Sequence, residues 1–275
     1  MKTIMKRAAA LAIPAAVALS LSVAGPIAAF AQSDNFTEGQ TRSIEKIVKD
    51  YLVSHPEILL EVQDAFEKKA EAKRGEATRS RMPEFYRSLA SLKSELAPLT
   101  IGEGDVTLVE FFDYNCGYCR HALPQIMKLL DADTKVKVVF MEYPILSQGS
   151  TEATKIALAA AKQGKYFDFH KAMLAAGRAN KESALKVAEQ IGLDMEKVKA
   201  DSASPETEAL VAKIGEIGKR MFVDGTPTFV VGDKVTPGAA DFDTLKRSVD
   251  DTRKDGCKAC AEAASTTGEK GEKKS

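Results

Sequence analysis

Apolar residues recur at three- and four-residue steps along the early part of the chain. Ile44, Ile47, Val48, Tyr51 and Leu52 predict one amphipathic helix from about Thr41, and Ile58, Leu59, Val62 and Phe66 predict a second reaching Arg74. Pro56 separates them. Ser54 is placed to cap the second helix, with Glu57 three positions later, as in a capping box. The charged run from Lys68 to Arg81 reads as an extended spacer. Pro83 then restarts a helix striped by Phe85, Leu89, Leu92 and Leu96, and Pro98 stops it. From residue 106 the pattern changes. Val106–Phe112 is an apolar run of strand length, a helical pattern follows Cys116 to about residue 130 with a kink expected at Pro124, and Lys135–Met141 is apolar again. Strand, helix and strand at this spacing predict a parallel pair joined by a crossover. Residues 150–221 read as three or four helices broken at Gly164, Gly177 and Gly192. A hairpin follows, Thr228–Val231 and Lys234–Thr236 about Gly232-Asp233, and then a helix from Phe242 to about Arg253. Residues 255–275 are polar and low in complexity, and are expected to be a disordered tail.

The first residues change the picture of where the protein works. Lys2, Lys6 and Arg7 precede the apolar stretch Ala8–Ala24, and Ala29-Phe30-Ala31 fits the small-x-small cleavage rule. Residues 1–31 are therefore expected to be a signal peptide cut after Ala31, leaving a soluble, exported chain whose first-choice compartment is the periplasm. Charge is balanced, with 39 Lys+Arg against 39 Asp+Glu, so no bulk field points to nucleic acid. The two N-terminal helices need a partner for their apolar stripe, either their own domain or the same segment of another subunit. The second is favoured, through residues 41–74.

Candidate chemistry centres on Cys116-Gly117-Tyr118-Cys119. A Cys-x-x-Cys can be a redox couple, half of a zinc site or a structural disulfide. The strand before it and the helix after it favour the redox couple, because a helix N-terminus stabilises a thiolate. No metal or cofactor is expected there. His121 either raises the positive potential at Cys116 or is an uninvolved surface histidine, the commoner case. For Cys257-x-x-Cys260 three uses stay open: a tail disulfide, a copper or zinc clip, or an auxiliary redox relay.

Three separated motifs, Glu110-Phe111-Phe112, Cys116-Gly117-Tyr118-Cys119 and Gly225-Thr226-Pro227-Thr228-Phe229, resemble the DsbA-like family of exported thiol:disulfide oxidoreductases across residues 99–254. Asp50-Tyr51-Leu52 and His55-Pro56-Glu57-Ile58-Leu59 are similar to the N-terminal region of its copper-tolerance, ScsC-like branch. The resemblance implies an α/β protein with a thioredoxin fold, an all-helical domain inserted at 150–221, and an N-terminal helical oligomerisation segment over 32–98. It assigns Cys116 as the exposed nucleophile, Cys119 as the buried resolving thiol and Glu110 as a buried acid that helps move the resolving thiol's proton. It also implies a cis Thr226-Pro227 loop that pairs with extended substrate chains, and Gly117-Tyr118 as the dipeptide that tunes the potential. That dipeptide resembles the isomerase-type pair more than the Pro-His of strongly oxidising members. The activity implied is exchange with exported proteins that carry thiols or disulfides, as isomerase or reductase. A dithiol oxidase recycled by a membrane redox partner, a thiolate copper-binding protein and a peptide-binding chaperone are the alternatives.

Overall fold

A computed structural model describes residues 36–268. The expected signal peptide and residues 269–275 lie outside the described residues. The chain falls into two units, Met1–Val62 and Gln63–Ser275.

In the first unit, α1 (Glu38–Ser54) starts on Thr37, whose hydroxyl accepts the Gln40 N–H while Gln40 reaches back to the Thr37 N–H. The helix therefore begins ahead of Thr41. No residue of α1 is buried, and Ile47 and Tyr51 are 67% and 55% exposed. Ser54 does not cap the next helix. It is the last residue of α1, and its hydroxyl donates to the Asp50 carbonyl at 2.7 Å.

The next helix, α2 (Glu57–Ser91), runs through the stretch expected to be a spacer and through Pro83. Lys, Ala, Glu and Arg dominate residues 68–74, and all are strong helix formers. Pro83 costs one backbone hydrogen bond to the preceding turn. Burial of Met82, Pro83 and Phe85 offsets that loss. The division between units thus falls after Val62 and not at residue 98, and Met82, Phe85, Leu92 and Leu96 belong to a core shared with the sheet.

The second unit continues through α3 (Lys93–Leu96), a 3-10 turn at Ala97–Leu99, and β1 (Thr100–Ile101), a short strand with no sequence signal. Then come β2 (Val106–Phe112), α4 (Gly117–Ala132) and β3 (Val136–Glu142). The helical insertion holds α5 (Gln148–Lys162), α6 (Tyr166–Ala175), α7 (Lys181–Gln190), α8 (Met195–Ser202) and α9 (Pro205–Arg220). That is more helices than expected, because Ser204-Pro205 restarts the chain: Ser204 accepts the Thr207 N–H and Pro205 opens the helix. The unit closes with β4 (Thr228–Val231), β5 (Lys234–Pro237), α10 (Phe242–Asp255) and α11 (Lys258–Gly268).

The sheet order is β1-β3-β2-β4-β5, with β2 and β3 parallel and the other pairs antiparallel. Central β2 is covered on both faces, which explains its unbroken apolar run. Leu108 and Phe112 face the cluster that contains Cys119, Ala122 and Ile126 of α4, while Val109 and Phe111 face Met82 and Phe85. The period of two puts Glu110 on the α4 side.

The expected disordered tail is a helix over residues 258–268. Ala259 and Ala263 are buried, and the Asp233 carboxylate, carried on the β4–β5 turn, accepts the Lys258 and Ala259 N–H groups at 2.8 and 2.9 Å. The turn bends at Gly232, with φ 56°, a conformation that suits glycine. Of the uses open for Cys257 and Cys260, the structure holds the disulfide.

Candidate active site

Strand β2 ends at Phe112 and α4 begins at Gly117, so Cys116, the last of the four residues between them, caps the helix; it is 5% exposed, where an exposed nucleophile is expected. Its sulfur accepts the Cys119 N–H at 3.3 Å, and its thiol donates to the Thr226 carbonyl at 3.0 Å. The Thr226–Pro227 peptide is cis. The helix N-terminus and the loop before β4 therefore meet on one sulfur.

The two thiols are driven apart. The Cys119 thiol beside it holds Cys116 down to about 6, with further help from Thr226 and from the Cys119 and Tyr118 N–H groups, against burial that pushes upward. The Thr226 hydroxyl is buried with no hydrogen-bond partner among the described residues. Cys119 is pushed far above the ordinary thiol range, first by burial, then by its bond to Cys116 and the charge of Glu110. One sulfur is a thiolate at neutral pH and the other stays protonated.

Glu110 is 2% exposed, one of its carboxyl oxygens has no hydrogen-bond partner among the described residues, and burial followed by the Cys116 charge pushes it up to about 8. Gly117 and Tyr118 are exposed at the rim, Tyr118 by 68%. His121 is exposed on α4. The sequence-derived residues Cys116, Cys119, Glu110, Thr226 and Pro227 come together.

Sequence reasoning passed over the frame that holds them. Buried Asp113 accepts the N–H groups of Asn115, Ile145 and Leu146 at 2.7, 2.9 and 2.9 Å. Asn115 donates to Ser147, Ser150 and the Ala179 carbonyl and accepts the Ala179 N–H, tying the loop to the insertion. Arg120 donates to the Tyr114 and Gly177 carbonyls. Deeper, Glu142 accepts from Tyr114 and Tyr166 at 2.9 and 3.0 Å and from Thr154 at 2.7 Å. The available signal was polar residues interrupting an apolar run at 113, 115 and 142.

A cysteine pair of split acidity against a cis-proline loop is the arrangement of the DsbA-like proteins, and the model of the DSBA-like thioredoxin domain matches residues 107–250, just over half of the chain. The chain belongs to this family. The copper resistance protein ScsC N-terminal domain matches residues 40–73. A thioredoxin-like oxidoreductase from Silicibacter pomeroyi is 44% identical, covers 56% of this chain and 91% of its own, and superposes with a TM-score of 0.55. Disulfide bond formation protein D of Bacillus subtilis is 26% identical over 168 residues, 54% of this chain and 74% of that protein. A Na(+)/H(+) antiporter of Salinispora tropica is 29% identical over 150 residues, 54% of this chain, which spans only 23% of the antiporter's length. As a DsbA-like protein, the chain has a thioredoxin fold. No helix among the described residues is long and apolar enough to cross a membrane.

Proposed function

We propose that the chain exchanges disulfides with exported proteins in the periplasm through Cys116 and Cys119, as an isomerase or reductase assembled from several copies. The split acidity of the pair carries the reading. Cys116 thiolate attacks a substrate disulfide, one substrate sulfur leaves as thiolate, and a mixed disulfide forms. In isomerisation a second substrate thiolate then expels Cys116. In reduction Cys119 attacks the Cys116 sulfur, the substrate leaves as thiolate, and the Cys119 proton passes to the Glu110 carboxylate. The resulting disulfide needs a reducing dithiol partner, for which a membrane redox protein is the candidate. The peptide at Thr226 and the exposed Gly117-Tyr118 rim receive the substrate's extended chain.

The exposed apolar side chains of the first unit support assembly. Ile44, Ile47, Val48, Tyr51, Leu59 and Val62 all lie open or half-open to solvent, and each would gain about 1.5–3 kcal/mol on full burial. The ScsC-type match over residues 40–73 supports the same segment as the interface. Assembly places several Cys116 thiolates around one substrate, which suits an isomerase.

Reactivation of scrambled ribonuclease in a mild thiol buffer tests the function. Recovery of ribonuclease activity is expected, and its absence would sink the isomerase reading and leave reduction or oxidation. Ile47→Glu with Val48→Glu is expected to lower the light-scattering mass to one chain and the reactivation at least about ten-fold, as effective concentration is lost. Alkylation of Cys116 should be unchanged, and an unchanged mass would refute the interface.

Glu110→Gln should slow the Cys119 step by about 10²-fold, the lower range for a positioned proton acceptor. Stopped-flow release from a mixed disulfide should also lose the inflection at which Glu110 ionises, which burial holds above the ordinary carboxyl range. The same inflection retained in Glu110→Gln would remove Glu110 from the proton's path.

A further inference from the structure

Cys257 and Cys260 lie outside the Cys116 site, yet their setting repeats it. Cys116 stands immediately before α4 with its sulfur on the Cys119 N–H at 3.3 Å; Cys257 stands immediately before α11 with its sulfur on the Cys260 N–H at 3.1 Å. Both tail cysteines are half-buried, within reach of an attacking thiol. We propose that Cys257–Cys260 is a second exchangeable disulfide, of lower reduction potential than Cys116–Cys119. In this proposal it takes electrons from a dithiol protein and delivers them to the active-site disulfide of another copy of this chain.

A purely structural staple explains this bond poorly. It joins residues three apart, and the loop-entropy contribution of so short a closure is under half that of a hundred-residue loop. Helix α11 is already held by buried Ala259 and Ala263 and by Asp233.

Asp233 sets the difference between the two pairs. At Cys116 the Tyr118 and Cys119 N–H groups favour the thiolate. At Cys257 the Lys258 and Ala259 N–H groups are given to the Asp233 carboxylate, one oxygen of which lies 3.9 Å from the Cys257 sulfur. That negative charge opposes a Cys257 thiolate. A couple whose thiolate is disfavoured is the more reducing one.

Transfer must run between copies. Cys116 meets Thr226 just before β4, whereas Asp233 follows the far end of that strand, which spans about 13 Å at the usual rise, well beyond disulfide reach. A donor thiolate attacks the Cys257 sulfur and Cys260 leaves and takes up a proton. The donor's second thiolate then displaces Cys257, so the donor ends as a disulfide. Cys257 thiolate next attacks Cys116 of an oxidised copy, expelling Cys119, which is protonated. Cys260 then gives its proton to solvent, and its thiolate attacks the Cys257 sulfur, closing the tail disulfide and releasing Cys116 as thiolate. Two electrons move at each exchange.

The purified full chain, equilibrated in graded thiol–disulfide buffers and read by differential alkylation and mass spectrometry, tests this without any substitution. Both pairs are expected to open in the folded protein, the tail pair at a reduced-to-oxidised buffer ratio at least ten-fold higher. Asp233→Asn keeps a capping oxygen but loses the charge, and should narrow that gap about ten-fold. A tail bond that opens only on unfolding, or at the same or a lower ratio, overturns the proposal. A reduced Cys116→Ser/Cys119→Ser chain mixed with an oxidised Cys257→Ser/Cys260→Ser chain should generate free Cys116. If none forms, delivery between copies is refuted.

Discussion

Cys116→Ser is expected to bring disulfide exchange down to the buffer's own rate, while Cys119→Ser keeps the first attack and accumulates mixed disulfides that survive until a reductant is added. With Cys116 held at about 6, roughly 90% is thiolate at pH 7, against about 3% for an ordinary thiol, a gain of about thirty-fold. Intrinsic nucleophilicity falls with acidity, and over this range it removes about ten-fold, so attack gains only about two- to three-fold. The same acidity makes Cys116 a faster leaving group by about ten-fold. Release is therefore the step that gains most, which suits repeated bond shuffling better than one-way oxidation. Iodoacetamide alkylation of Cys116 should rise with pH about a midpoint near 6. A midpoint at the ordinary thiol value would refute the split.

Between pH 6.5 and 8 the oxidised chain should lose about 2 kcal/mol of stability at the buried carboxyl of Glu142 and a smaller amount at that of Glu110. Burial pushes Glu142 up to about 8; for Glu110 burial is the first cause and the Cys116 charge, which a disulfide lacks, the second. A folded value above the unfolded one contributes stability that is complete below the unfolded value and lost as pH rises through the folded one, because the folded state holds the extra proton. His170 works in the other direction. Burial drives it down to about 3, so folding loses ground as pH falls below about 6.5. From about pH 4.5 to 6.5 one carboxyl and the histidine nearly cancel. Above that the carboxyls act alone. Urea titrations at pH 6.5 and 8 check this, and Glu142→Gln should remove more than half of the fall. Glu142→Ala should cost about 3–5 kcal/mol at either pH, since the hydroxyls of Tyr114, Tyr166 and Thr154 all lose their acceptor. No slope between pH 6.5 and 8 would mean that Glu142 is ionised in the folded protein.

What the sequence made legible depended on whether the signal was local. The strand Val106–Phe112, the helix behind Cys116 and the β4–β5 hairpin are each announced within about ten residues, and they appear as read. Cys116 and Cys119 were legible for the same reason. The continuity of α2 was hidden because Pro83 is a strong local breaker, and only the burial of Met82 and Phe85, partners distant in sequence, outweighs it. The tail misled in the same way: its composition is that of an unstructured segment, but Asp233 and two alanines order it. Glu142 carried no motif at all, because its three partners come from three separate elements.

The bond between Cys116 and Thr226 spans 110 positions, whereas Cys119, the first cause of the thiol's acidity, lies three residues away. At about 5–20 residues per second, a ribosome makes Thr226 some 5–20 seconds after Cys116. Cys116 and Cys119 are thus made before the cis-proline loop that meets the Cys116 sulfur in the folded protein. For that interval the nascent chain carries both cysteines without the group that closes over them.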